Sequence, residues 1–354
     1  MLSSPLIARL RIALPIVQGP MTGSDTPALA AAVSGAGGLG MLGCGMRSPI
    51  AMAEAAAEVR RHTDQPFGMN LFVQPTPDPD AATVTAALTR LTPLYAELEL
   101  VPTVPAQWCE DFEAQFEALL SARPAVASFT FGILDAAQVE RLHTADAVVI
   151  GTATTLNEAL AWAAVGADAV CVSGMEAGGH RGTFLDDFTA SMVGTLALVP
   201  QCVDALHIPV IAAGGIMDGR GIAAALALGA QAVQMGTAFL ACPESAIGPA
   251  YRQALNNAQA TDTRITRAYS GRPARGIVNT MMQRLEDNAA DAANIPAYPI
   301  QNALTGALRR ASAQAGRADY LSLWAGQGVG AVRPMPAVDL VGLLAQEWQA
   351  ASAR

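Results

Sequence analysis

The sequence predicts an α/β protein: a (β/α)8 TIM barrel with a smaller, mostly helical insertion or lid. Three observations predict it. Short apolar strands alternate with helical stretches eight times between residues 16 and 237. None of those strands shows a polar face, which is the pattern of a parallel sheet covered by helices. The chain has 354 residues, 52% hydrophobic and 14% charged, so it can bury a large core and is too apolar for disorder. Eight units favour a closed barrel over an open sheet.

The elements follow in order. Ile16-Val17-Gln18 is a first strand running into the tight turn Gly19-Pro20-Met21. Residues 26–34 are alanine-rich and helical, with Ser24 or Asp25 as the cap. Gly35-Ala36-Gly37-Gly38-Leu39-Gly40 spells G-x-G-x-x-G. A dinucleotide fingerprint follows a strand and opens a helix. This run follows a helix and opens a strand at 39–42, so that reading is rejected. Residues 49–62 form a helix, 67–73 a third strand and 75–79 a proline-rich loop. Residues 80–91 and 106–121 read as helices, 126–131 as a fourth strand, 135–142 as a helix and 147–152 as a fifth strand.

A helix at 156–165 closes at Gly166 and leads to the sixth strand, Ala169-Val170-Cys171-Val172. That strand runs through Ser173 into a glycine-rich turn with a single histidine, Gly178-Gly179-His180-Arg181-Gly182. Residues 188–206 are helical with a break at Pro200. The seventh strand, 208–213, ends at Gly214-Gly215; after a helix at 219–228, the eighth, Ala232-Val233-Gln234-Met235, ends at Gly236-Thr237. The apolar run 221–242 is long enough to suggest a membrane span, but Gly229 and Gly236 divide it into a helix and a strand. The predicted organisation is a barrel over residues 1–242, an arginine-rich insertion over 243–321, and a C-terminal segment over 322–354 whose helix, 338–349, packs back on the barrel.

Composition narrows the chemistry. Net charge is −9 with no basic cluster, which argues against nucleic acid or an anionic membrane as partner. All 21 basic residues are arginine, so Schiff-base lysine chemistry and the lysine-bearing phosphate loop are excluded. The five cysteines are widely spaced without C-x-x-C, as expected of reduced thiols in a cytoplasmic protein. The four histidines have no metal-ligand spacing, and Arg9 and Arg11 interrupt any signal-peptide pattern.

Sites in such barrels are built from loops at the C-terminal strand ends. Gly214-Gly215 and Gly236-Thr237 fall where such barrels commonly hold a phosphate. Backbone N–H groups there can surround an anion without a lysine. Gln18, Asn70 and Ser173 are polar groups at apolar strand ends and must find partners. His180 can act as acid or base near neutral pH. Glu176 reads either as a ligand or as a salt-bridge partner of Arg181.

The stretches IVQGPMTGSDTPALAAAVSGAGGLG, FGMNLFV, VCVSGMEAGGHRGTF, IPVIAAGGIMDGRGIAAALALGAQAVQMGTAFL, YPIQNALT and WAGQG, in this order over nearly the whole chain, resemble the nitronate monooxygenase family, formerly called 2-nitropropane dioxygenase. The resemblance implies FMN as cofactor and oxidation of alkyl nitronates by O2 to a carbonyl compound and nitrite, with propionate 3-nitronate among the candidate substrates. It places flavin contacts on Gly19, Pro20, Met21 and Asn70, on Gly178, Gly179, Gly214 and Gly215, and on Gln234, Met235, Gly236 and Thr237. It places the catalytic histidine on His180. The family usually has Gln where this chain has Ser173. The polar groups of Gln18, Asn70 and Ser173 would serve the ring edge. His180 would meet the anionic nitronate when protonated, or take the α-proton of a nitroalkane when neutral. Arg272 or Arg275 is expected to meet any substrate carboxylate. Two flavin relatives share much of the pattern, the NAD(P)H:quinone reductase and the FMN-dependent enoyl-[acyl-carrier-protein] reductase. A non-catalytic flavin-binding protein is the reading from another class.

Overall fold

The eight apolar runs pair side by side and in parallel. A computed structural model describes residues 4–287 and 292–353. Its strands are β1 (Ile16–Gln18), β2 (Gly40–Gly43), β3 (Phe67–Phe72), β4 (Val126–Thr130), β5 (Val148–Ala153), β6 (Ala169–Ser173), β7 (Gly179–His180), β8 (Val210–Ala213) and β9 (Ala232–Met235), followed by β10 (Thr263–Thr266) and β11 (Ala274–Ile277). The parallel sheet runs β1-β9-β8-β6-β5-β4-β3-β2. A bridge between Val17 and Leu39 joins its two ends: Gln18 N donates to Leu39 O and Leu39 N to Ile16 O, both at 2.9 Å. The sheet is therefore a closed (β/α)8 barrel.

Alternation along the strands sorts the core. Leu39 and Met41, Val148 and Ile150, Ala169 and Cys171, and Ile211 and Ala213 fill the barrel interior, and Leu6 and Leu10 of the helix Pro5–Leu10 join them. That helix sits at the N-terminal strand ends, where Ser4 Oγ donates to Gln231 Oε1 at 2.6 Å. It closes the bottom and leaves the C-terminal end open. The outward-facing strand residues pack under the helices in the largest cluster. Ala337, Leu340, Val341 and Leu344 of the helix Ala337–Ser352 belong to it.

Several local expectations need correction. The helix Pro27–Gly35 is capped by Thr26, whose Oγ1 accepts from Leu29 N at 3.0 Å, and not by Ser24 or Asp25. Asp25 turns inward instead. The helix expected from 106 begins at Phe112, because Asp111 caps it by accepting from Ala114 N. The stretch 188–206 splits into a short turn, Phe188–Ser191, and a helix, Thr195–Ala205, with Gly194 between them.

Two helices follow β3, and only one covers the barrel. Phe116 and Leu119 of the helix Phe112–Ala122 pack in the barrel's outer core. The helix Ala81–Glu97 instead buries Leu91, Leu94 and Tyr95 against Tyr269, Met281, Met282, Leu304 and Leu308 of the inserted segment. The sequence predicts a mostly helical segment here, and the structure adds β10 and β11 to its helices. Their sequences, TRIT and ARGI, are too short and polar to show a strand pattern. They pair antiparallel, and β11 takes β7 as its other neighbour, with His180 opposite Ala274 and Gly179 opposite Arg275. Among the described residues no helix is long and apolar enough to cross a membrane.

Candidate active site

The loops after the barrel strands surround a cavity of about 640 Å³. One side is backbone. Gly19, Pro20 and Met21 after β1, Gly214 and Gly215 after β8, and Gly236 and Thr237 after β9 line it. Gly214 and Gly215 have φ of +112° and +73°, a left-handed conformation that side chains rarely adopt. A Cβ on Gly178 would lie 2.5 Å from Gly326 N, so no side chain fits between these loops. Thr237 Oγ1 accepts from Gly326 N at 2.9 Å, which leaves its proton free to donate.

Polar side chains stand at the floor. Asn70 is held by Ser128 Oγ at 2.9 Å and Thr130 Oγ1 at 3.4 Å. Ser173 at the end of β6 and Gln234 and Met235 of β9 also line the cavity. Gln18 does not. It is fully buried, accepting from Met41 N at 3.0 Å and donating to Gly19 O. Its amide joins the backbones of β1 and β2 and is spent there, so Gln18 supports the β1 turn and does not reach a ring edge.

His180 faces the same cavity from β7. Its Nε2 lies 2.8 Å from Ser270 Oγ. That hydroxyl also reaches Arg272 O at 3.2 Å, and it has a single proton to give. With the proton on the Arg272 carbonyl, Nε2 carries its own hydrogen and Nδ1 is a free lone pair. With the hydroxyl donating to a bare Nε2, the ring's one hydrogen is on Nδ1, which donates. The serine therefore couples to the tautomer of the imidazole. Burial, then the charges of Arg272 and Arg309, lower the imidazole to about 3. His180 is thus neutral at physiological pH, and the protonated form considered from sequence is not the resting state.

An aromatic group surrounds the ring: Trp324 at 5.2 Å, Phe131 at 5.4 Å and Tyr298 at 5.7 Å between centroids. Phe72 stacks on Phe131 at 4.2 Å. Sequence reasoning gave none of these four a role, nor Ser270. Three of them stand in stretches that carried the resemblance, Phe72 in FGMNLFV, Tyr298 in YPIQNALT and Trp324 in WAGQG.

The charged side chains are also rearranged. Arg181 is buried, donating to Gly174 O at 2.6 Å and Ser191 O at 2.8 Å. Glu176 accepts from Thr195 N at 3.0 Å and Thr195 Oγ1 at 2.9 Å. The two side chains thus pin separate parts of the loop after β6 and form no ion pair. Arg272 donates to Arg181 O at 3.0 Å and to Thr183 O, and Arg275 to Met175 O at 3.1 Å. Neither arginine lines the cavity. Arg309 and Arg310 do, and no Asp or Glu among the described residues joins them there. Cys44 is buried with its thiol pushed up to about 12 by that burial, as befits a structural cysteine.

The nitronate monooxygenase family model matches residues 3–347. The chain belongs to the nitronate monooxygenase family. A probable nitronate monooxygenase of Staphylococcus aureus is 42% identical over 324 residues, covering 91% of this chain and 90% of the relative. The structure of nitroalkane oxidase from Streptomyces ansochromogenes superposes with a TM-score of 0.90 at 41% identity, over 98% of this chain and 99% of that one. FabK from Thermotoga maritima is further away, with a TM-score of 0.76 at 31% identity over 99% and 97% of the two chains. The chain is therefore an oxidoreductase.

Nitronate monooxygenase family members are flavoproteins. The residues present suit such a group. The cavity has the size of a small-molecule site, roughly 300–1,000 Å³. Its glycine turns give a backbone cradle that side chains would fill, with Asn70, Ser173 and Gln234 for polar edges. The aromatic half, with His180, is left for a substrate.

Proposed function

We propose that this nitronate monooxygenase family member uses FMN to oxidise alkyl nitronates with O2, releasing the carbonyl compound and nitrite. The observation that carries the reading is His180: a neutral imidazole, fixed by Ser270 and enclosed by aromatic rings, facing a glycine-lined cradle. When bound, FMN supplies the acceptor for the electrons leaving the nitronate and passes them to O2. Gly214, Gly215, Gly236 and Thr237 would hold its phosphate by N–H and hydroxyl donors. Asn70, Ser173 and Gln234 would hold its ring edge. Ser173 is shorter than the Gln usual in the family and leaves space there.

His180 works by its tautomer. With Ser270 donating to Nε2, the Nδ1–H group donates to an oxygen of the nitronate. With the hydroxyl turned to Arg272 O, Nδ1 takes the α-proton of a nitroalkane. Phe131, Tyr298 and Trp324 exclude water from the substrate carbon and pack against its alkyl chain.

The test is nitrite release and O2 uptake by the purified, FMN-loaded chain with 1-propyl nitronate and propionate 3-nitronate, and again with His180→Asn. Nitrite formation that falls about 100-fold or more in the variant supports the reading. Unchanged turnover by His180→Asn overturns the role of His180. The likeness to FabK favours a reductase as second reading. NADH oxidation with a quinone or enoyl substrate, without nitronate turnover, would establish it.

A further inference from the structure

The cavity of this acidic chain has a cationic wall. Arg309 and Arg310, on the helix Gly306–Gln314, line it. Their guanidinium groups converge: a methyl placed on Gly306 would sit 3.2 Å from Arg310 Nη1 and 3.8 Å from Arg309 Nη2. Arg309 is half-buried and, among the described residues, makes one directed bond, Nη2 to Asn302 O at 2.7 Å. Among the described residues neither arginine has a carboxylate partner, although nine ion pairs form elsewhere. Arg310 is exposed and Arg309 half-buried; two like charges facing one spot repel each other, and an anion between them removes the repulsion.

The position separates this wall from the phosphate cradle. Arg309 and Arg310 stand with Asn302, which contacts Met46 after β2 through Nδ2 to Sδ at 3.6 Å. The cradle lies after β8 and β9, three and two strands round the closed barrel from β2. Arg309 lines the same cavity as Tyr298, His180 and Trp324, and its charge acts on His180 and Tyr298.

We propose that Arg309 and Arg310 capture the anionic substrate and select it over its neutral acid, so that the nitronate is taken up in preference to the nitroalkane. The proposal rests on the nitronate reading above. A net charge of −9 repels anions from the surface as a whole. The arginine pair reverses the local field at the cavity wall, and the half-buried Arg309 is screened less than an exposed charge would be.

The test pairs binding with kinetics on the purified full chain. Calorimetric titration uses nitrate, a planar monoanion, and neutral 1-nitropropane, on wild type, Arg309→Met/Arg310→Met and Arg309→Lys/Arg310→Lys. The Met pair should weaken nitrate at least tenfold and leave 1-nitropropane within about twofold, and the Lys pair should retain most of the nitrate affinity. Wild-type kcat/KM for 1-propyl nitronate should fall several-fold between low and high salt, and the Met pair should flatten that dependence. Equal weakening of both ligands, no change in either, or loss of bound flavin from the Met pair would overturn the proposal. If nitrate binding depends on the pair while the wild type turns over no nitronate, the anion site stands and the nitronate reading falls. If nitronate is turned over and nitrate ignores the pair, only the anion site falls.

Discussion

The guanidinium of Arg272 lies 4.1 Å from the centroid of the Phe131 ring. It covers one side of the ring while Phe72 stacks nearby at 4.2 Å, and Phe131 presents an edge to His180. Phe131 holds this place with φ of +80°, a left-handed backbone that a bulky residue adopts only under constraint from its surroundings.

Phe131→Ala should therefore cost about 3 kcal/mol or more in unfolding free energy, from lost ring packing. Phe131→Gly should cost no more than the alanine variant, although glycine is ordinarily worse by about 0.5–1 kcal/mol, because glycine relaxes the positive φ. Denaturant unfolding of the two variants decides it. A glycine variant clearly less stable than the alanine variant would show that the backbone there is unstrained.

Ser270 should be a positioning residue for His180. Ser270→Ala removes the partner of Nε2 and leaves the imidazole free to turn and change tautomer. We expect roughly tenfold lower kcat/KM for nitronate, with Ser270→Thr recovering most of it. A shift in the Nδ1 and Nε2 nitrogen chemical shifts of His180 in the alanine variant would separate this role from a merely structural one. Unaltered shifts and unaltered kcat/KM would remove Ser270 from the mechanism.

The depressed imidazole makes a pH prediction with a definite sign. The unfolded chain binds the His180 proton below about 6.5, whereas the folded chain resists it down to about 3. In that window the unfolded state holds more protons, so stability is lost as pH falls, by up to about 1.4 kcal/mol per pH unit from this group. Thermal unfolding of wild type and His180→Asn from pH 7 to pH 4 should show a steeper acid loss in the wild type. Parallel curves would place the imidazole in ordinary contact with water. For the same reason, nitronate turnover should show no acid limb near 6.5 from His180.

Asp25 ties two loops together. Its buried carboxylate accepts from Met21 N at 2.6 Å and Gly43 N at 2.7 Å, and Arg47 lies 3.2 Å away. Asp25→Asn replaces one acceptor oxygen with an NH2 group aimed at an N–H donor. A loss of about 3 kcal/mol is expected, with reduced flavin retention because Met21 lines the cavity. Stability within about 0.5 kcal/mol of wild type would mean that the amide fits the same bonds.

Much of the barrel was legible because its strands are continuous apolar runs closed by glycine, a pattern that survives without any tertiary knowledge. The cradle was legible for a related reason: Gly214, Gly215, Gly236 and Thr237 follow strand ends directly, and strand ends face the mouth. The rest depended on contacts far apart in sequence. Gln18 is a polar residue on an apolar strand like Asn70, yet its amide meets the backbone of Met41 and leaves the cavity. Arg272 and Arg309 both belong to the charged segment, and only the fold decides that one is fastened to backbone carbonyls while the other lines the opening. The pairing of TRIT with ARGI, and of ARGI with Gly179 and His180, could not be read from strands four residues long.

That last pairing divides the cavity between two parts of the chain. The cradle is made by barrel loops, while the histidine is stitched through β11 to a sheet contributed by the inserted segment. Because His180 itself belongs to the loop after β6, exchange of the covering segment alone should shift the imidazole through its β11 pairing and leave the glycine floor in place. Changes in β10 and β11 would then be felt by the imidazole before they reach the vessel beneath.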